Sequence, residues 1–276
     1  MSKNKKTTAD RCVAKDVSAM YDRALRHHHA GEWQEAEQIY KEIVLVDASH
    51  AESLHLLGVL ALQRGDIASA INLITKALNI KSDQNFYNNL GIALQKAGEF
   101  AQAENSFQMA ISICRDAGYY NNLGFALQSQ GKFHEAIRCF DQAIECNPMM
   151  AEPYLNKGNS LKEKREYSDA MSCYGRCIAI RPDYAEAHNN IGILHKILGD
   201  MPRAIDSFNR AIGIDPNLAE AHNNIASILQ DQGFIEEAAD RYRKAISINP
   251  GLEESQKNLY ELSVRGYATT PHKKHN

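Results

Sequence analysis

Small and large apolar residues recur along the chain on a helical period, and that pattern itself repeats on a much longer one. From Ala185 to Leu218 the chain reads AEAHNNIGILHKILGDMPRAIDSFNRAIGIDPNL, two amphipathic stretches separated by Gly199-Asp200 and closed by Asp215-Pro216. The next stretch opens at Ala219 with AEAHNNIA, an offset of 34 residues from Ala185. Self-similarity at this period predicts stacked helix pairs that contact only their neighbours, with no single central core. The pattern divides residues 17–264 into units at 17–50, 51–83, 84–116, 117–150, 151–184, 185–218 and 219–252, with a capping helix at 253–264. Units 51–83 and 84–116 each lack one residue in the loop leading onward, which predicts a local change of pitch with no helix lost. Residues 1–16 and the basic tail 265–276 are polar and aperiodic, and are expected to be disordered.

Within a unit, counting from its first residue, position 8 is small: Gly58, Gly91, Gly124, Gly158, Gly192 and Ala226. Position 20 is Ala36, Ala70, Ala103, Ala136, Ala170, Ala204 and Ala238. Position 24 is large: Tyr40, Ile74, Phe107, Phe140, Tyr174, Phe208 and Tyr242. Positions 20, 24, 27 and 28 make one helical stripe. Glycine inside a helix costs about 1 kcal/mol against alanine, so its recurrence demands a packing reason. Gly31, Gly65, Gly98, Gly131 and Gly199 are placed to end the first helices. Pro148, Pro182, Pro216 and Pro250 are placed to stop the second.

These features resemble the tetratricopeptide repeat family over residues 17 to about 264. Leu90-Gly91 with Ala103, Phe107 and Ala110 follows the family pattern, as does Leu123-Gly124 with Ala136, Phe140, Ala143 and Pro148. The resemblance implies a right-handed superhelix of about seven helix pairs. Its concave face would be lined by first helices and would bind partners.

On those helices, positions 2, 5, 6, 9, 12 and 13 are expected to face the groove. Position 6 is Asn89, Asn122, Asn156, Asn190, Asn224 and, in the closing half-unit, Asn258; position 5 adds Asn88, Asn121, Asn189 and Asn223. Asparagine is a weak helix former, so a row of them carries a cost. A carboxamide both donates and accepts, and such a row can hold the main chain of an extended peptide. The same groups can instead bond neighbouring helices to one another. Ile92, Phe125 and Ile193 at position 9 would add apolar contacts, and Lys96, Lys162 and Lys196 are scattered cations, offset in part by Glu163 and Asp231. That mixture argues against the carboxylate clamp of co-chaperones, which the family also uses.

The unit AEAHNNIG is also similar to the repeat domain of O-linked N-acetylglucosamine transferases and related bacterial glycosyltransferases. In those proteins the ladder implies guidance of extended substrates to a catalytic domain. From Glu253 onward only 24 residues remain here, too few for a nucleotide-sugar domain, and no Gly-rich phosphate loop occurs. The expected function is therefore a non-enzymatic adaptor for an extended segment of a partner protein. The recognition part of a glycosyltransferase system and a self-associating scaffold are the alternatives.

Composition adds exclusions. A net charge of −3 gives no overall field for nucleic acid or acidic lipid. No apolar run reaches bilayer length, and MSKNKKTTADRC is not followed by the apolar segment of a secretory signal, so the cytoplasm is the expected compartment. The six cysteines lack metal or redox spacing, and Cys139, Cys173 and Cys177 read as small apolar residues at helix contacts. His27, His28 and His29 diverge by about 100° each around a helix, and repeat duplication explains His188 and His222, with His195 seven residues past His188. No catalytic residue, metal or cofactor is expected.

Overall fold

The computed structural model describes residues 8–264, which form two compact units of helix pairs with no strand among the described residues. The N-terminal unit contains α1 (Thr8–His29), α2 (Trp33–Val46), α3 (Ala51–Gln63), α4 (Ile67–Ile80), α5 (Gln84–Lys96), α6 (Phe100–Ile113), α7 (Ala117–Ser129) and α8 (Phe133–Cys146). The C-terminal unit contains α9 (Ala151–Glu163), α10 (Tyr167–Ile180), α11 (Ala185–Ile197), α12 (Met201–Ile214), α13 (Ala219–Asp231), α14 (Ile235–Ile248) and α15 (Glu253–Val264). Each is an α-solenoid in which successive helices pack as antiparallel pairs. The segments 1–7 and 265–276, for which composition predicts disorder, lie outside the described residues. One boundary differs: α1 starts at Thr8, ahead of Val17, where the periodic stretch begins.

The small-to-large complementarity is the packing rule within each pair. A Cβ built on Gly91 would lie 2.5 Å from Phe107, one on Gly124 2.5 Å from Phe140, and one on Gly158 2.5 Å from Tyr174. Phe107, Phe140, Tyr174 and Phe208 are fully buried, as are the alanines at position 20. The two helices of a pair thus approach until the ring of the second rests on the bare backbone of the first. In α15 the equivalent place is taken by Tyr260, a bulky and exposed side chain, so this helix cannot receive a second helix at the same distance.

The turn between paired helices needs a left-handed residue at position 15. Glycine supplies it at φ 74–85° in six units, including Gly233, and Arg165 supplies it in the seventh at φ 63°. The loops between pairs are of two kinds. Four of the five longer loops begin with an Asx turn, as where Asp215 Oδ1 accepts from Asn217 N at 2.9 Å and Asn249 Oδ1 from Gly251 N at 3.0 Å, and the fifth begins with Arg181. The two shortened loops end instead on Asp83 and Asp116, which cap α5 and α7 by accepting from Asn85 N and Gly118 N at 2.8 Å each. No helix is lost at either.

Candidate functional site

The asparagine rows lie on the first helices, where each unit meets the next. Asn122 Nδ2 donates to Asn88 Oδ1 at 3.0 Å, and Asn224 Nδ2 donates to Asn189 Oδ1 at 3.2 Å. Position 6 of one unit therefore bonds position 5 of the unit before it. His55 occupies position 5 of its unit, and Asn89 Nδ2 meets its Nε2 at 2.9 Å, so His55 accepts through Nε2 and carries its proton on Nδ1. Burial pushes the His55 imidazole down to about 4, which keeps it neutral in this role.

The rule changes where position 5 is apolar. Leu155 stands there in its unit, and Asn190 Nδ2 turns to Asn159 Oδ1 at 2.9 Å, an oxygen that also accepts from Tyr174 OH at 2.8 Å. At the last junction Asn223 is engaged at both ends. Its Oδ1 accepts from Ser255 Oγ at 2.8 Å and its Nδ2 donates to Glu254 Oε2 at 3.2 Å. Asn258 Nδ2 reaches Tyr242 OH at 3.2 Å, into the packing of α14. Asn121 and Asn156 are half-buried and both have partners.

An interhelical bond uses only one end of a carboxamide. Among the described residues, Asn189 Nδ2 has no acceptor, and Asn190 Oδ1 and Asn224 Oδ1 have no donor. Asn189 is 5% exposed and Asn190 6%. All three line one groove of 520 Å³ across α11, α13 and α15, together with Asn223, Ile193, Leu218 and Leu252. The groove thus brings together Asn189, Asn190, Asn223, Asn224 and Ile193 from the residues singled out in the sequence. In the N-terminal unit Ile92 is half-buried, while Phe125 and Lys96 are exposed on their first helices. Lys196 Nζ donates to Ser227 Oγ at 2.8 Å, bridging two units, and Lys162 lies 3.7 Å from Glu163. A larger cleft of 670 Å³, across α2, α3 and α4, has an apolar floor of Val44, Leu54, Leu57 and Leu73 and holds none of those residues.

Three groove residues escape a reading based on amides alone: Glu186, Glu220 and Glu254, at position 2 of three consecutive units. Their spacing of 34 was visible in the chain, but a glutamate in a helix's first turn is too common to single out.

The remaining candidate chemistry is structural. His188 Nε2 and His222 Nε2 contact the carbonyls of Pro182 and Pro216, at 3.0 and 3.3 Å, and tie each helix to the loop before it. His28 is half-buried against Tyr40, with ring centroids 6.2 Å apart, rather than solvated. Cys177 is buried and Cys139 half-buried, and burial raises both thiols to about 11, away from the thiolate that metal or redox chemistry needs. Among the described residues no group of three His, Cys, Asp or Glu side chains is arranged to hold a metal, and no helix is long and apolar enough to cross a membrane.

Family models for the tetratricopeptide repeat match residues 21–86, 85–117, 117–150, 185–218 and 219–252, and a model for the TPR repeat matches 158–199. No curated protein sequence matches the chain. Among solved structures, a tetratricopeptide repeat protein from Parabacteroides merdae superposes with a TM-score of 0.73 at 17% identity, covering 89% of this chain and 98% of that one. A chain of the Cut9–Hcn1 hetero-tetramer of the APC/C gives 0.72 at 17% identity, covering 86% of this chain. This chain spans 47% of that one's length. YrrB, described as having an unusual peptide-binding site, gives 0.54 at 19% identity over 66% of this chain and 95% of its own. At these identities the likeness is one of fold.

Proposed function

The chain belongs to the tetratricopeptide repeat family, a family of protein-interaction modules, and we propose that it is a non-enzymatic adaptor that holds an extended segment of a partner protein in the groove of its first helices. The observation that supports this is the division of labour within the amides. Asn189, Asn190 and Asn224 each spend one end holding the units together and present the other, unpaired, to one groove. Each hydrogen bond that a ligand makes to these free ends, in place of water, contributes roughly 0.5–1.5 kcal/mol net. An extended main chain offers both kinds of group at every residue. Ile193 and the leucines beside the amides suit a segment with some apolar side chains.

The helix–helix role and the binding role are compatible, because they use different atoms of the same side chain. A part in a glycosyltransferase system rests on the AEAHNNIG motif alone, and no feature of the groove favours it over the adaptor reading.

A photo-crosslinking residue placed at Ile193 should capture the partner, whereas one at Arg210, exposed on α12, should not. Capture at Arg210 without capture at Ile193 would refute the groove reading.

A further inference from the structure

Position 2 is glutamate in Glu52, Glu152, Glu186, Glu220 and Glu254. Two of these are neutralised within their own unit. Lys81 Nζ lies 2.8 Å from Glu52 Oε1, and Arg181 Nη1 lies 2.9 Å from Glu152 Oε1. Both cations stand at position 31, the C-cap of the second helix. In the units of Glu186 and Glu220 that C-cap is Asp215 or Asn249. Glu186 and Glu220 have no ion-pair partner among the described residues. A first-turn glutamate is favoured by the helix dipole, which explains why one occurs. It does not explain why the matching cation is missing in the two units whose glutamates line the groove.

With Glu254, these residues give the groove three carboxylates and no lysine or arginine among its lining side chains. The buried Asn189, with its Nδ2 unpaired, opens into the same space. A ligand there meets a polar floor and an anionic wall that repeats once per unit.

The geometry of that wall restricts the ligand further. Glu186 and Glu220 stand on α11 and α13, which approach closely enough for Asn224 Nδ2 to meet Asn189 Oδ1 at 3.2 Å, and packed helices have axes roughly 8–10 Å apart. A polyproline II segment advances about 3.1 Å per residue with three residues per turn, so residues i and i+3 project from the same side about 9 Å apart. It also leaves its backbone groups unpaired, free to meet Asn189, Asn190 and Asn224. Resting on the groove reading above, we propose that the C-terminal unit recognises a polyproline II-like segment of a partner with lysine or arginine at every third residue. Successive cations meet Glu186 and Glu220.

The test is the full chain titrated into fluorescent peptides. One carries three Lys-Pro-Ala triplets, one has the same composition with the lysines contiguous, and one has glutamine for lysine. The spaced lysine peptide should bind most tightly. The variant Glu186→Gln/Glu220→Gln should weaken it about fivefold or more, leave the glutamine peptide unchanged and flatten the salt dependence. Equal affinity for all three peptides, insensitive to that variant but lost in Ile193→Arg, would overturn the charge inference and leave the groove reading standing. Binding insensitive to all of these substitutions, or no binding, would overturn both. A gain in affinity for the spaced peptide on Lys273→Gln/Lys274→Gln would assign the anionic wall to the chain's own tail and overturn the proposal.

Discussion

A methyl group added to Gly192 would lie 2.6 Å from Cε1 of Phe208, well inside the contact distance of two carbons. The ring of α12 rests on backbone that only glycine leaves bare, and both residues are buried. Gly192→Ala should therefore destabilise the chain despite a better helix propensity. Overpacking costs roughly 1–3 kcal/mol and the propensity gain returns about 1 kcal/mol. Urea unfolding should show the loss, with faster hydrogen exchange concentrated in α11 and α12. An unchanged midpoint would show that the pair can widen freely.

Arg165 takes the left-handed turn that glycine takes in the other units, at φ 63°. That conformation costs an L residue with a Cβ roughly 1–2 kcal/mol. Arg165→Gly should raise the denaturation midpoint by the equivalent of about 1 kcal/mol, since glycine gives back part of the gain through the unfolded chain. A lower midpoint would mean that the arginine side chain is worth more than the strain it carries.

Asn159 Oδ1 serves two donors, Asn190 Nδ2 and Tyr174 OH. Tyr174 is fully buried, and burial raises its phenol far above the usual range, so its hydroxyl stays protonated and needs an acceptor. Asn159→Ala should cost roughly 1–3 kcal/mol through these two stranded donors. In the background of Tyr174→Phe the cost should fall by at least 0.5 kcal/mol, a coupling of about the size that contacting pairs show in double-mutant cycles. Strict additivity would dismiss the shared bond.

His55 is buried, stacked on Phe86 with ring centroids 4.1 Å apart, and held neutral as the acceptor for Asn89. Its folded value of about 4 lies below its ordinary value of 6.5. The unfolded chain therefore binds the proton first as pH falls. The stability that His55 contributes is complete above pH 6.5 and is lost progressively toward pH 4, by an amount on the order of 2–3 kcal/mol. Replacement by asparagine, the residue at this position in four other units, should keep a bond to Asn89 and remove this part of the pH dependence. Thermal melts of the two proteins between pH 7 and pH 4.5 should converge as pH falls; parallel curves would reject the assignment.

The helix pairs were legible in the chain because their determinants are local. Gly91 and Phe107 lie in one unit, sixteen residues apart, and the same pairing recurs as Gly124 with Phe140 and Gly192 with Phe208. Repetition turns such a local rule into an architecture. The extra turns of α1 before Val17 were less visible, because helix formers without an apolar period do not reveal whether a helix forms.

What the sequence alone determined is thus the all-α repeat fold, its register and the row of carboxamides on the first helices. Only the tertiary structure decided how those carboxamides divide between holding the units and facing the groove. An amide has a donor end and an acceptor end of nearly the same shape. At position 6 the donor end is the one spent, and which acceptor it finds depends on whether the neighbouring unit offers Asn88, His55 or the apolar Leu155, in which case Asn190 turns to Asn159. The charge of the groove was hidden for a similar reason. Glu152 and Glu186 are the same residue at the same position. Only the contact between a first turn and a distant C-cap separates the glutamate paired to Arg181 from the one that faces the groove unpaired.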